Sequence, residues 1–193
     1  MTIFDLLFIA IFLATVVTLL SAAFLALRGR GARALAILRR LGICAAAYLG
    51  IVAIASVFWP RTVLLVGEPQ CFDDWCITVE NASRRPAGGS IAYTVALRLS
   101  SSARRISQRE NNVAVYMTDN RGRRYDPAPR HPEFPFNIQL GPQESLTATR
   151  IFALPADAHE PVLVVTHEGG FPIGWFIVGY ETWFRKPTIV RLE

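Results

Sequence analysis

Two strongly apolar runs near the start of the chain, separated by a short arginine-rich stretch, constrain its fold more than any other feature. Residues 3–27 carry Asp5 as their only charge. A helix of that length, at about 1.5 Å per residue, exceeds the ~30 Å hydrocarbon core of a bilayer. Residues 41–59 carry no charge and end on Trp59, ahead of Pro60 and Arg61: an aromatic anchor, a helix stop and a headgroup partner. Buried in a soluble protein, two such helices would need a large partner domain to cover them, and the chain has only 193 residues. The pattern predicts a two-helix transmembrane hairpin over residues 1–61, with spans at about 3–27 and 41–59 and a cytoplasmic loop at 28–40, within which Ala34 to Leu38 lies at the interface or extends the second helix by a turn or two.

Charge is distributed to match. Arg28, Arg30, Arg33, Arg39 and Arg40 lie between the runs with no acid among them, whereas in residues 60–193 cations exceed acids by one. The formal net charge of +5 therefore belongs to one short stretch. This argues against nucleic-acid binding, which needs cations clustered on a folded face. By the positive-inside rule the arginines stay in the cytoplasm, which puts both termini and residues 62–193 on the far side of a bacterial inner membrane. A cleaved signal peptide would carry its positive charge ahead of the apolar core, and Met1-Thr2-Ile3-Phe4-Asp5 does not. Hydrophobic residues make up 52% of the chain and charged ones 18%, which excludes a disordered polymer.

Small side chains recur every four residues in both runs, at Ala10, Ala14, Thr18, Ala22 and Ala26, and at Gly42, Ala46 and Gly50. Helices in lipid gain little from the hydrophobic effect and associate through close backbone approach over small residues. These stripes are the expected helix-packing surfaces, for the hairpin itself and for a membrane-protein partner or a second copy. Cys44 reads as a small apolar packing residue.

After Pro60 the periodicity changes from helical to alternating. Ile91, Tyr93, Val95, Leu97 and Leu99 share one face of a half-buried strand. Further strands are expected at 62–66, 77–80, 113–117, 124–125, 146–154, 162–167, 173–180 and 188–192. Asp119-Asn120-Arg121-Gly122 supplies a hairpin turn, and Gly/Pro clusters separate most of the others. Strands this short need a second sheet over their apolar face, so the fold class is all-β, an antiparallel sandwich. Four prolines make residues 127–137 a loop, whose Phe134 and Phe136 either tuck into the core or form part of a partner surface. Phe171, Trp175, Phe176, Tyr180, Trp183 and Phe184 form a terminal aromatic cluster that is core, partner interface or membrane contact; sequence does not choose among these.

Cys71 and Cys76 enclose four residues, Phe72-Asp73-Asp74-Trp75. In an oxidising compartment this spacing predicts a structural disulfide; redox pairs usually enclose two residues and precede a helix. No phosphate loop, zinc spacing or nucleophile elbow occurs in the sequence. His131, His159 and His167 have no local partner that marks a base. The expectation is a protein with no catalytic residues, no cofactor and no metal.

The order Ile77-Thr78-Val79-Glu80-Asn81, a long alternating strand, Asp119-Asn120-Arg121-Gly122-Arg123-Arg124-Tyr125, Leu140-Gly141-Pro142-Gln143-Glu144-Ser145 and Phe152-Ala153-Leu154-Pro155 resembles a bacterial domain family of unknown function. The resemblance spans roughly residues 62–192. It implies an immunoglobulin-like (telokin-like) sandwich of the kind found in lipoproteins and membrane-anchored exported proteins, and it brings no catalytic residues. Where that family has Leu-x-Pro-Gly-Glu, this chain reads Gly141-Pro142-Gln143-Glu144. The expected function is that of an accessory or binding subunit of a membrane or envelope complex. The alternative is a tethered sensor or carrier of a small ligand or metal, with Asp73, Asp74, His131 and His167 as its first candidates.

Overall fold

A computed structural model describes residues 3–129, 134–168, 176 and 186–192 of the chain. Two helices, α1 (Ile3–Leu27) and α2 (Gly31–Phe58), pack against each other. Both are long and apolar enough to cross a membrane. The expected loop over 28–40 shrinks to residues 28–30. Arginine, alanine and leucine are all strong helix formers, so the basic stretch extends α2 by almost three turns. The turn is closed by a Schellman motif: Gly29 N–H donates to the Ala26 carbonyl at 3.0 Å and Arg30 N–H to the Leu25 carbonyl at 2.9 Å. Gly29 has φ +73°, a conformation that costs a residue without a side chain little.

Nine strands are described: β1 (Val63–Leu64), β2 (Pro69–Phe72), β3 (Trp75–Ala87), β4 (Ser90–Ser101), β5 (Val113–Thr118), β6 (Arg124–Tyr125), β7 (Ser145–Pro155), β8 (Val162–His167) and β9 (Thr188–Arg191). They form two sheets, β1-β9-β8-β5-β6 and β2-β3-β4-β7. One core lies between them, filled by Trp75, Ile77, Val95, Leu97, Leu99, Phe152 and Leu154 from one sheet and Val115, Met117, Leu163, Val165 and Val190 from the other. The architecture is a β-sandwich, but it is mixed and not purely antiparallel: β1 runs parallel to β9, with Val63 opposite Ile189. Parallel neighbours need a long crossover, and most of the β-domain sequence lies between these two.

Two devices lengthen β3 well past the expected 77–80. A bulge between Val79 and Asn81 shifts the register, so that Val79 faces Leu97 while Ala82 faces Val95. Inward positions are odd-numbered before the bulge and even-numbered after it, and Ala82 packs on the core. At the far end Gly88 (φ +51°) and Gly89 (φ +87°) make the two-residue turn into β4, where both positions need left-handed backbone. The expected strand over 173–180 lies outside the described residues.

The chain divides into two compact units: Met1–Pro60 with Phe171–Lys186, and Arg61–Gly170 with Pro187–Glu193.

Candidate functional site

The most organised polar constellation sits at the β5–β6 turn. Asp119, just past β5, is buried. Its Oδ1 accepts the backbone N–H groups of Arg121 (3.0 Å) and Arg123 (2.9 Å). Its Oδ2 accepts Arg123 Nε (2.7 Å) and the Tyr125 hydroxyl (3.0 Å). Asp157, from the loop between β7 and β8, receives the Nη1 atoms of Arg121 (2.9 Å) and Arg123 (3.0 Å). Burial alone raises the Asp119 carboxyl, but the side-chain and backbone hydrogen bonds from Arg123, then those from Tyr125 and Arg121, outweigh it and bring its pKa from 3.8 to about 2. Hydrogen bonding to Arg123 likewise lowers Asp157. A carboxylate held ionised with four donors on it has little capacity left to take a proton at neutral pH or to ligate a cation. This constellation clamps the turn.

A second cluster covers the ends of β5 and β8. The His167 Nε2 lies 3.0 Å from Glu110 Oε1, and the Phe72 ring meets the imidazole edge-on at 4.2 Å between centroids. Beside it Arg124 pairs with Glu168 and Asp126 and lies over the Tyr116 ring at 3.9 Å. Of the ligand candidates, His167 therefore faces Glu110. Asp74 bonds Ser102 through its carbonyl (2.8 Å to N) and its carboxylate (3.1 Å to Oγ). Asp73 is exposed in the same turn at φ +53°, and His131 lies outside the described residues. Among the described residues no three His, Cys, Asp or Glu side chains converge as a metal site. Sequence reasoning singled out neither Arg104, Arg105 and Ile106, which line an open depression beside Asp74, nor the donors that gather on Asp119.

Cys71 and Cys76 form a disulfide between directly opposed positions of β2 and β3, with Cα atoms 4.0 Å apart. The two-residue turn Asp73-Asp74 brings the thiols together, and the bond then staples the hairpin. Phe136 packs against the core beneath the Arg150 guanidinium, 4.4 Å from the ring centroid, whereas Phe134 is 50% exposed. Phe134 presents more surface than the half-buried Phe136. Trp175 and Trp183 lie outside the described residues.

In the helical hairpin Phe8, Ile11, Thr15, Thr18, Ala22 and Leu25 of α1 are covered at alternating steps of three and four, with Asp5 also half-buried near its start. On α2, Ala34, Ile37, Leu41, Tyr48, Val52 and Ala55 keep the same heptad spacing, and Gly50, Ala53 and Ser56 are covered beside them. Thr18 and Ala22 of the expected stripe belong to this seam. Ala10, Ala14, Gly42 and Ala46 are exposed, and Gly50 is half-buried with open space where a Cβ would stand. The reason is angular. A step of four residues overshoots a full turn by about 40°, so a strict four-residue stripe winds away from the face that a 3.5-residue seam keeps. Cys44 is a free thiol on the exposed side. Arg28, Arg30, Arg33, Arg39 and Arg40 are all exposed, and Arg28 lies over the Phe24 ring at 4.2 Å.

No known protein family matches the chain, and no curated protein matches its sequence. Solved structures similar to it are β-sandwiches and exported or unassigned bacterial proteins. An uncharacterized β-sandwich protein from Clostridium difficile is 14% identical, covering 69% of this chain and 95% of its own, with a TM-score of 0.44. The secreted protein MPT63 of Mycobacterium tuberculosis is 10% identical, covering 58% and 92%, with a TM-score of 0.43. The yjhA protein of Bacillus subtilis is 10% identical, covering 67% and 99%, with a TM-score of 0.44.

Proposed function

We propose that this chain is a non-enzymatic, membrane-anchored protein of the bacterial inner membrane, whose helical hairpin spans the bilayer and whose immunoglobulin-like sandwich is exported. Its role is that of an accessory or binding subunit in a larger membrane or envelope complex. The observation that carries the anchoring is the surface of the helices. Ala22 is the one buried residue of α1, while Leu6, Phe12, Leu13, Val17, Leu20 and Phe24 are all exposed. Apolar side chains on every side of a 25-residue helix suit lipid, not water. The hydroxyls agree: Thr15, Thr18, Ser21 and Ser56 each donate to a carbonyl of their own helix, as a medium without water demands. The disulfide suits an oxidising compartment. The polar clusters of the sandwich are closed among themselves, which favours binding through surface over chemistry at a cleft.

Impermeant thiol labelling of single-cysteine variants in intact cells and in inverted vesicles tests the topology. Residue 33 should react only from the cytoplasmic face and residue 106 only from the outer face. The reverse pattern, or extraction of the chain by alkaline carbonate without detergent, would overturn the reading. Native electrophoresis in mild detergent tests the subunit role, since a free monomer from source membranes contradicts it.

A further inference from the structure

We propose that one flank of the helical hairpin, at its arginine end, binds an anionic phospholipid, with the phosphate on Arg33 and Arg40 and an acyl chain along Val17 and Phe24. Such a site presupposes the membrane-anchored reading above and adds to it a lipid of defined charge at a defined place.

The two helices set different membrane boundaries. α1 is uncharged from Leu6 to Leu27, whereas α2 carries Arg33, Arg39 and Arg40 ahead of an uncharged stretch from Leu41 to Phe58. Because α2 already begins at Gly31, Arg40 stands about 14 Å along it. The turn at residues 28–30 folds α2 back along α1, and Arg40 lies as far past Gly29 as Thr18 lies before it, so the two come level. At that height guanidinium groups on α2 stand beside the exposed Val17, Leu20 and Phe24 of α1. Hydrocarbon alone is costly for the arginines, and water alone is costly for the apolar side chains.

Rotation about the helix axes brings both chemistries to one side. At about 100° per residue, Val17, Phe24 and Arg28 fall on one flank of the seam residues Thr18, Ala22 and Leu25. Arg33 and Arg40 fall on the flank of the same rotational sense beside Ala34, Ile37 and Leu41. Right-handed helices packed antiparallel turn flanks of the same sense to the same side. The Arg28 guanidinium, 4.2 Å from the Phe24 ring centroid, already lies along the apolar surface there. Arg39 points away from the seam, and Leu35 and Leu38 occupy the other flank of α2.

The counter-charge comes from outside the hairpin. No acidic residue occurs between Asp5 and Glu68, and Asp5 is at the far end of α1. Arg33 and Arg40 are about 10 Å apart along the axis, so their long side chains can converge on one headgroup. Guanidinium pairs with phosphate through two parallel hydrogen bonds, and anionic lipid is what the cytoplasmic leaflet offers. A phospholipid carries negative charge and hydrocarbon on one molecule and so meets Arg40 and Val17 together. A free phosphate or an acidic peptide meets the arginines alone.

The test reconstitutes the full chain in phosphatidylcholine vesicles at physiological salt, where diffuse surface attraction is screened beyond about 8 Å. Spin-labelled phosphatidylglycerol and spin-labelled phosphatidylcholine are added in turn, and the motionally restricted fraction of each is read by electron paramagnetic resonance. Phosphatidylglycerol should be preferred severalfold. The preference should vanish in the double variant Arg33→Gln, Arg40→Gln and persist in Arg30→Gln, Arg39→Gln, which removes the same charge from elsewhere. An unchanged restricted fraction of phosphatidylcholine reports that each variant is still inserted. Equal loss in both double variants would reduce the effect to net charge and overturn the site. No preference in the unsubstituted chain, beside a clear restricted fraction of both lipids, would overturn the site and leave the anchor standing. No restricted lipid of either kind would bring down both. Displacement of the labelled lipid by millimolar glycerol phosphate would assign the arginines to a free anion and overturn the proposal.

Discussion

Asp119 and Arg123 meet twice, once through the backbone N–H at 2.9 Å and once through Nε at 2.7 Å, so a single carboxylate fixes both the path of the turn and the side chain that closes it. The pH dependence follows from the depressed pKa of about 2. A carboxyl that titrates lower in the folded chain than its ordinary 3.8 contributes stability that is complete above about pH 4 and is lost as pH falls through about 2. Asp119→Asn should be less stable at neutral pH and should show a flatter loss of stability between those limits. Urea unfolding followed by Trp75 fluorescence across that range measures both; an unchanged slope would mean that the turn does not depend on the charge.

The helix seam predicts unequal effects from equal substitutions. Ala22 is 2% exposed in the seam, so Ala22→Leu forces the helices apart and should cost about 1–3 kcal/mol. Ala14→Leu adds the same volume on an exposed face and should leave the hairpin unchanged within about 0.5 kcal/mol. Unfolding in mixed micelles, read by helicity, compares them. Loss of a native complex on Ala14→Leu, with the hairpin intact, would assign that face to a partner helix.

Removing the staple should weaken the hairpin it closes. The chain-entropy estimate for so short a loop is about 2 kcal/mol, and the double variant Cys71→Ser, Cys76→Ser should lose stability of that order in denaturant titrations. Reduction of the unsubstituted protein should reproduce the loss.

At the β3–β4 turn, Gly89 with φ +87° has no room in conformational space for a side chain, although nothing lies within 4 Å of the place a Cβ would take. Gly89→Ala should therefore cost about 1 kcal/mol through the backbone alone. By contrast Phe152→Ala, at 0% exposure between the sheets, should cost about 3–5 kcal/mol. Thermal melts of the two variants separate a torsional penalty from a packing one.

Much of this could be read from residue order because it depends on local periodicity. The apolar runs of α1 and α2, the alternation through residues 91–99 and the Cys71–Cys76 spacing are properties of neighbours in sequence, and each corresponds to an element present in the fold. Reading failed where local signals conflict or cancel. The basic stretch was open to either an interfacial loop or a helix extension of a turn or two, and in the fold the helix runs through it from Gly31. Alternation in β3 broke at Glu80 because one bulged residue inverts the parity of all that follow, so a continuous strand looked like a short one. Asp119 read as one letter of a turn, since the four donors that hold its proton off come from residues whose directions depend on the folded hairpin.

Sequence by itself determined which segments are helical and which alternate, because side-chain period follows directly from backbone geometry. Only the tertiary structure decided the partners. Steps of four and steps of three and a half select different faces of the same helix, and the choice depends on the helix packed opposite. The parallel pairing of β1 with β9 joins residues at the two ends of the sandwich, whose meeting is set by long-range packing and leaves no trace in either short strand.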